Sequence, residues 1–364
     1  MFNILNKYIV GKYLKTFFFS AFLISLIAVV IDLAENIHRF FKAELAFFDV
    51  ATGYYLNFIP WINGLLWPLI ALVSVIFFTS RMASDSEIIS VLNAGVSYRR
   101  FLVPYMIGAG IIASVLWVGI NFVIPNSTQA KTTFEHDNKI KTREQTRSTD
   151  THFFIGPQSK IYVRYFRKRD TSIQTFRLED FYENGRLKKL IKANKVTFAE
   201  APQTWALQDY TIRTFDESGK EALTVKQGET LDTTLNFQPR DFVLNTKQVE
   251  IMTSNDLREY IRREEERGLD NCKKYYIELQ RRTADPFTIF ILTLIGVSIA
   301  SRKVRGGTGM HLAIGVVIGS AYVLISKFTV TFAHNSALSA GLGVWLPNIV
   351  FGILAIYLVF KAQK

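Results

Sequence analysis

The sequence carries uncharged stretches too long and too apolar to serve as ordinary core segments of a soluble domain. They lie toward both ends of the chain, and nearly all the charge density lies between them. A bilayer-crossing helix needs about 20 mostly apolar residues, and a walk along the chain finds six such regions. The first, Thr16–Ile31, is bounded by Lys15 and Asp32. It is short, but Tyr13, Leu14, Leu33 and Ala34 can lengthen the helix and Lys15 can snorkel. A signal peptide is the rival reading. It lacks a clean small-x-small cleavage site around Asp32 and Ala34.

The second run, Val50–Ser80, is long enough to span with tilt, and Pro60 and Pro68 should kink it. The third, Phe101–Ala130, is expected to leave the membrane near Pro125, and the fourth is Pro286–Ser301. The apolar region from Gly306 to Phe360 is too long for one helix. The polar, glycine-containing stretch His334–Gly343 divides it into a fifth and a sixth span.

Loop charges orient these helices. Lys7, Lys12 and Lys15 precede the first. Arg81, Arg99 and Arg100 lie between the second and third, Arg302, Lys303 and Arg305 between the fourth and fifth, and Lys361 and Lys364 after the sixth. The loop 32–49 holds more acid than base, and 334–343 has no Lys or Arg. The positive-inside rule then places both termini in the cytoplasm and residues of about 126–285 outside. The formal net charge of +12 thus needs no nucleic acid to explain it. The single cysteine, Cys272, excludes an intramolecular disulfide and a thiolate cluster.

The insert reads as β structure followed by helices. Ile161, Val163 and Tyr165 alternate with Tyr162, Arg164 and Phe166. Asn184 and Gly185 suit a type I′ hairpin turn between 176–183 and 186–199. The pattern of Trp205, Leu207, Tyr210 and Ile212 changes parity near Asp209, which suggests a bulge. Ser218 and Gly219 make the next turn. Many short strands with such turns suggest a sandwich or jelly roll. Residues 256–267 then read as a helix, with Gly268 as a stop, and 269–283 as a second helix running to Pro286.

The loop between the second and third spans holds the most specific short segment. Ser84 and Glu87 have capping-box spacing, in which each side chain satisfies a helix-start amide. Ile88, Ile89, Val91 and Leu92 follow, and Gly95 ends the segment. Such a helix can rest on headgroups or dock into a groove on a cytoplasmic motor.

At this point the chain resembles a family. Its segments Ser86-Glu87-Ile88-Ile89-Ser90-Val91, Ala94-Gly95-Val96-Ser97, Glu183-Asn184-Gly185-Arg186-Leu187 with Ala193, Trp205-Ala206-Leu207, and Arg281-Arg282-Thr283-Ala284-Asp285-Pro286-Phe287 lie in the order and spacing of the LptF/LptG permeases. These belong to the lipopolysaccharide export ABC transporter, and the resemblance covers nearly the whole chain. Gly306-Gly307-Thr308-Gly309 looks closer to LptG than to LptF. The resemblance implies an α-helical membrane protein of six transmembrane helices, three before and three after an inserted, jelly-roll-like all-β periplasmic domain. The divisions would be 1–125 for three helices with a coupling helix at 84–95, 126–254 for the β domain, 255–285 for a helical linker and 286–364 for the last three helices.

It also implies partners: a dimeric cytoplasmic ABC ATPase, a sister permease, a periplasmic bridge protein, and an accessory single-span chain in some complexes. The cargo would be lipopolysaccharide, in the inner membrane of a Gram-negative bacterium. Glu87 matches the family's acidic motor contact, with Ser84, Ile88, Val91 and Leu92 around it. His38, Arg39 and Lys42, just past the first helix, are candidates for lipid phosphate, although acidic Asp32 and Glu35 stand beside them. Lys327 faces either lipid, where it would snorkel, or a cavity, where it would be a further phosphate contact.

Gly315 and Gly319 have G-x-x-x-G spacing. That stripe serves either a gate against the sister permease's first helix or a permanent contact within this chain. No cofactor or metal is expected, and Glu135, His136 and Asp137 read as a solvated cluster. The chain has no G-x-x-x-x-G-K-[ST], so that motif cannot hold ATP here. G-x-S-x-G and H-E-x-x-H are also missing. Two other classes remain open: an enzyme acting on lipid headgroups, and a structural or sensory protein with a β ectodomain.

Overall fold

A computed structural model describes residues 4–138, 140, 149–156, 158–167, 170–200, 204–216, 220–235, 237, 248–266, 272–304, 306–335 and 338–362. The chain forms two compact units. One comprises Met1–Ile140, Glu250–Ser254 and Lys273–Lys364, and the other Lys141–Val249 and Asn255–Cys272.

The first unit holds six helices long and apolar enough to cross a membrane. α1 (Ile4–Lys42) runs without a break well past the uncharged stretch that signals it. The second span joins α2 (Phe47–Asp49), a π-helical segment (Val50–Tyr55) and α3 (Leu56–Ser84), with Pro60 and Pro68 inside. The third joins α5 (Tyr98–Val118), a π-helical segment (Gly119–Val123) and α6 (Ile124–Asp137). The helix therefore continues beyond Pro125, which closely follows the π-helical segment. α4 (Glu87–Asn93) is the short helix between spans two and three. α9 (Lys273–Ala300), α10 (Gly307–His334) and α11 (Ala340–Ala362) are the last three spans. α9 passes through Pro286 as one helix, so the expected linker helix and fourth span are continuous from Lys273.

Packing explains the extensions that hydropathy does not signal. Phe40, Val50, Tyr54, Phe58 and Ile140 form a buried cluster with Phe134 against it. Lys131 of α6 is buried with its ammonium 4.0 Å from the Trp61 ring centre and 5.0 Å from that of Phe58. A cation held over aromatic faces contributes about 0.5–2 kcal/mol and ties α6 to α3. Elsewhere the helices are joined by small residues and by hydrogen bonds, as expected where lipid supplies no hydrophobic drive. The Thr288 and Tyr322 hydroxyls lie 2.7 Å apart, and both donate to Asn348 Oδ1, so α9, α10 and α11 share one buried network.

In the second unit, β1 (Thr149–Gly156), β2 (Ser159–Arg167), β3 (Ser172–Phe181), β4 (Leu187–Glu200), β5 (Thr204–Phe215) and β6 (Glu221–Thr234) form one antiparallel sheet in sequential order. The inserted all-β domain is thus present between the third and fourth spans, and its described strands form an up-and-down meander. The alternation of Ile161, Val163 and Tyr165 breaks. Ile161 and Val163 are buried, but Tyr165 is exposed and Phe166 takes the next inward place. The same three-residue step recurs from Ile173 to Phe176, Ala193 to Val196 and Leu207 to Tyr210.

The strands share one irregular line. Thr175 and Asp209 have φ of 56° and 51°, and Gly228 has φ of 75°. The bulge expected at Asp209 is there, as a register shift between Gln208 and Tyr210. Such a line bends the sheet around its core of Trp205, Phe176 and Phe237. The hairpin at Asn184 is also there, with a different turn. Only Gly185 has positive φ. The Gly185 amide donates to the Tyr182 carbonyl, and Asn184 Oδ1 accepts from the Arg186 amide, as in a three-residue loop closed by a glycine bulge.

α7 (Gln248–Ile251) and α8 (Ser254–Glu266) follow, α8 close to the expected 256–267. The expected turn at Ser218 and Gly219, the stop at Gly268 and the loop charge Arg305 lie outside the described residues.

Candidate coupling and lipid-binding sites

α4 starts differently from the expected capping box. Ser84 is the last residue of α3 and makes no cap to α4. The residue before α4 is Ser86, in the left-handed region at φ 63°, and its side chain makes no capping bond. A non-glycine residue there costs about 1–2 kcal/mol. The helix spans Glu87–Asn93, and Gly95, at φ 81°, ends it.

Glu87 has partners on α1. The Tyr8 hydroxyl lies 3.3 and 3.2 Å from its two carboxylate oxygens, and Lys12 Nζ lies 3.6 Å from Oε1. Lys12 Nζ also donates to the Tyr8 hydroxyl at 2.7 Å. Of the apolar candidates, Ile88 is buried and Val91 and Leu92 pack against the same core. Their i, i+3, i+4 spacing already marks a core-facing stripe. The exposed apolar side chain of α4 is Ile89, which the sequence places in the segment but not among the residues around the motor contact.

The opposite end of the helices carries the basic candidates. His38, Arg39 and Lys42 occupy the last turns of α1 with exposed side chains, where basic charge also suits a helix C-terminus. Arg39 donates to Asn36 Oδ1 at 3.0 Å. Among the described residues His38 and Lys42 have no ion-pair partner. Asp32 Oδ1 accepts from the Tyr54 hydroxyl at 3.4 Å.

Lys327 lines a cavity of about 200 Å³ together with Glu278, Arg281, Arg282 and Asp285 of α9. Lys327 is an exposed residue of α10 at the side of this cavity. Arg281 pairs with Glu278 at 3.5 Å and with Asp285 at 3.4 Å. Lys327 has no ion-pair partner within 4 Å among the described residues. The cavity is also lined by Glu250, so three carboxylates stand beside its three cations.

Sequence reasoning quoted Arg282 as part of a motif and gave it no role. It is 2% exposed. Its Nη1 donates to Ser254 Oγ at 2.9 Å, its Nη2 donates to the Met252 carbonyl at 2.7 Å, and Glu278 lies 3.6 Å away. Ser254 donates in turn to Asn121 in the π-helical segment. One guanidinium thus fastens α9 to the chain segment that returns to the membrane helices and to the third span.

Gly315 and Gly319 are both buried, and their stripe is filled by this chain's own α3. A Cβ at Gly315 would meet Ile76, and one at Gly319 would lie 3.1 Å from Leu69 and 3.2 Å from Leu72. Their small surface packs on α3 of this chain. No group of three or more His, Cys, Asp or Glu that could hold a metal occurs among the described residues.

Six spanning helices, divided three and three by an antiparallel β insert, define a multi-pass membrane protein with one large hydrophilic domain. The family model for the lipopolysaccharide export system permease LptF/LptG matches residues 7–361, and the chain belongs to that family. The family is a transporter component of the inner membrane. No curated protein matches the chain.

Proposed function

We propose that this chain is one permease of an ABC transporter that lifts lipopolysaccharide out of the inner membrane and passes it to a periplasmic β bridge. A separate dimeric cytoplasmic ATPase supplies the energy. The observation that carries this reading is the family match over residues 7–361. The termini and α4 face the cytoplasm, as the basic residues at that end require, and the β unit faces the periplasm. The ATPase meets α4 at Glu87 and Ile89. A sister permease completes the lateral entry, which lies on the exposed apolar faces of α1 and α10, including Phe22, Val317 and Phe328. The glycine run at 306–309 favours the LptG side of the family. The outer edge of β6, unpaired among the described strands, suits strand addition by a bridge. A single-span accessory chain is compatible with this assembly.

Lipid phosphates bind at Arg39, Lys42 and Lys327, each by charge-assisted hydrogen bonds. Replacing all three with Gln or Met lowers photocrosslinking of lipopolysaccharide by about tenfold, from roughly 1.4 kcal/mol lost. Crosslinking at the wild-type level would remove these residues from the lipid path. The reading as a whole is tested by affinity purification from a Gram-negative host. An ABC ATPase and a second permease should co-purify in stoichiometric yield. A chain that purifies alone and intact would favour a structural or sensory protein.

A further inference from the structure

We infer that Tyr8 and Lys12 are positioning residues for Glu87, so that the ATPase, on engaging α4, engages the cytoplasmic end of α1 through the same carboxylate. The inference rests on the proposal that Glu87 meets the motor. Three observations carry it. First, both Glu87 carboxylate oxygens face the Tyr8 hydroxyl, at 3.3 and 3.2 Å, and Lys12 Nζ lies 3.6 Å from one of them.

Second, Tyr8 and Lys12 are one turn apart on α1 and are joined to each other. The Lys12 ammonium donates to the Tyr8 hydroxyl at 2.7 Å and lies 4.8 Å from the centre of its ring. The pair therefore presents one preformed donor surface. Third, neither side of the contact is loose. Ser86 holds a left-handed backbone immediately before Glu87, and Ile88 is buried immediately after it. On α1, Ile9, Tyr13 and Phe17 are fully buried on the adjacent face, and the Tyr13 and Thr293 hydroxyls lie 2.8 Å apart.

A carboxylate accepts several hydrogen bonds at once, because its two oxygens offer about four lone-pair sites. Glu87 can thus keep Tyr8 while a basic group of the motor approaches its exposed side. The motor's displacement of α4 then pulls directly on α1, without passing through α3 or α5. Lys12 has a second effect. It shares the charge of Glu87 with any incoming cation, which weakens the motor contact to a strength that can be released in each cycle.

The test uses the full complex of both permeases and the ATPase in lipid vesicles. The readout is lipopolysaccharide released per ATP hydrolysed, with assembly scored separately by the ATPase retained on purification. A merely structural role would lower the assembled fraction and leave the ratio unchanged. Tyr8→Phe keeps the ring and removes the donor. Its ratio should fall about twofold to fivefold, the range of an exposed charged contact. Adding Tyr8→Phe to Glu87→Gln should cause no further fall. A wild-type ratio in both Tyr8→Phe and Lys12→Met, with a lowered ratio in Glu87→Gln, overturns the inference alone. Additive losses in the double variant also overturn it. A wild-type ratio in Glu87→Gln overturns the motor contact itself, and the inference with it.

Discussion

Arg282→Ala should destabilise the membrane unit by about 3–5 kcal/mol, the cost of breaking one side of a buried charged network. The substitution leaves the Met252 carbonyl without its donor and Glu278 without one of its two cations. It also takes from Ser254 the donor that holds it between α9 and Asn121. The Met252 carbonyl and Ser254 then lack the donor that Arg282 supplies, and each orphaned polar group costs about 1–3 kcal/mol where the cavity does not hydrate it. Arg282→Lys retains a charge but cannot reach Ser254 and Met252 with two parallel donors, and it should lose part of the same stability. Thermal unfolding of the purified protein in detergent checks this. A melting temperature equal to wild type for Arg282→Ala would mean that the network contributes nothing.

Glu87→Gln should weaken ATPase association by about thirtyfold, on the order of 2 kcal/mol for truncating one side of a buried interfacial charge pair. Stability should change little. Glu87 makes no capping bond that the amide would break, because the residue before the helix is Ser86 and its side chain caps nothing. The amide still accepts from the Tyr8 hydroxyl, and what it gives up is the charge toward the helix start and toward the partly exposed Lys12, each about 0.3–1 kcal/mol. The two effects therefore separate. Binding measured with the purified ATPase should fall while the melting temperature holds. Equal loss of both would assign Glu87 a structural role only, and wild-type binding would exclude the contact.

The spans were legible because an uncharged run is a property of the sequence itself. Their full lengths were not. α1 reaches Lys42 and α6 reaches Asp137 because Phe40, Tyr54, Phe134 and Ile140 meet in space, and no local pattern states that. The apparent capping box failed for a related reason. Ser84 and Glu87 have the right spacing, but α3 keeps Ser84 in its last turn, and the chain turns at Ser86 instead. In the insert, the parity change at Asp209 was readable from Trp205, Leu207 and Tyr210 alone. The matching steps at Thr175 and Phe166 became evident only once strands were paired.

The sites divide in the same way. Arg39, Lys42 and Glu87 stand out because charge is scarce near the spans. Arg282 could be quoted as a motif but not assigned, since Ser254 and Asn121 lie far from it in sequence. The partner of the Gly315 and Gly319 stripe was equally hidden. Small residues announce a close approach, but the identity of the approaching helix, here α3, depends on the fold.

The central claim is that this chain moves lipopolysaccharide at the expense of ATP hydrolysed by another subunit. The most direct measurement reconstitutes the chain with the co-purifying ATPase and sister permease in vesicles that contain lipopolysaccharide. A soluble β-bridge acceptor is added outside, and lipid transferred to it is followed over time. Transfer should require ATP, should require this chain and should stop when the ATPase is left out. Transfer that proceeds at the same rate without ATP, or without this chain, would contradict the account.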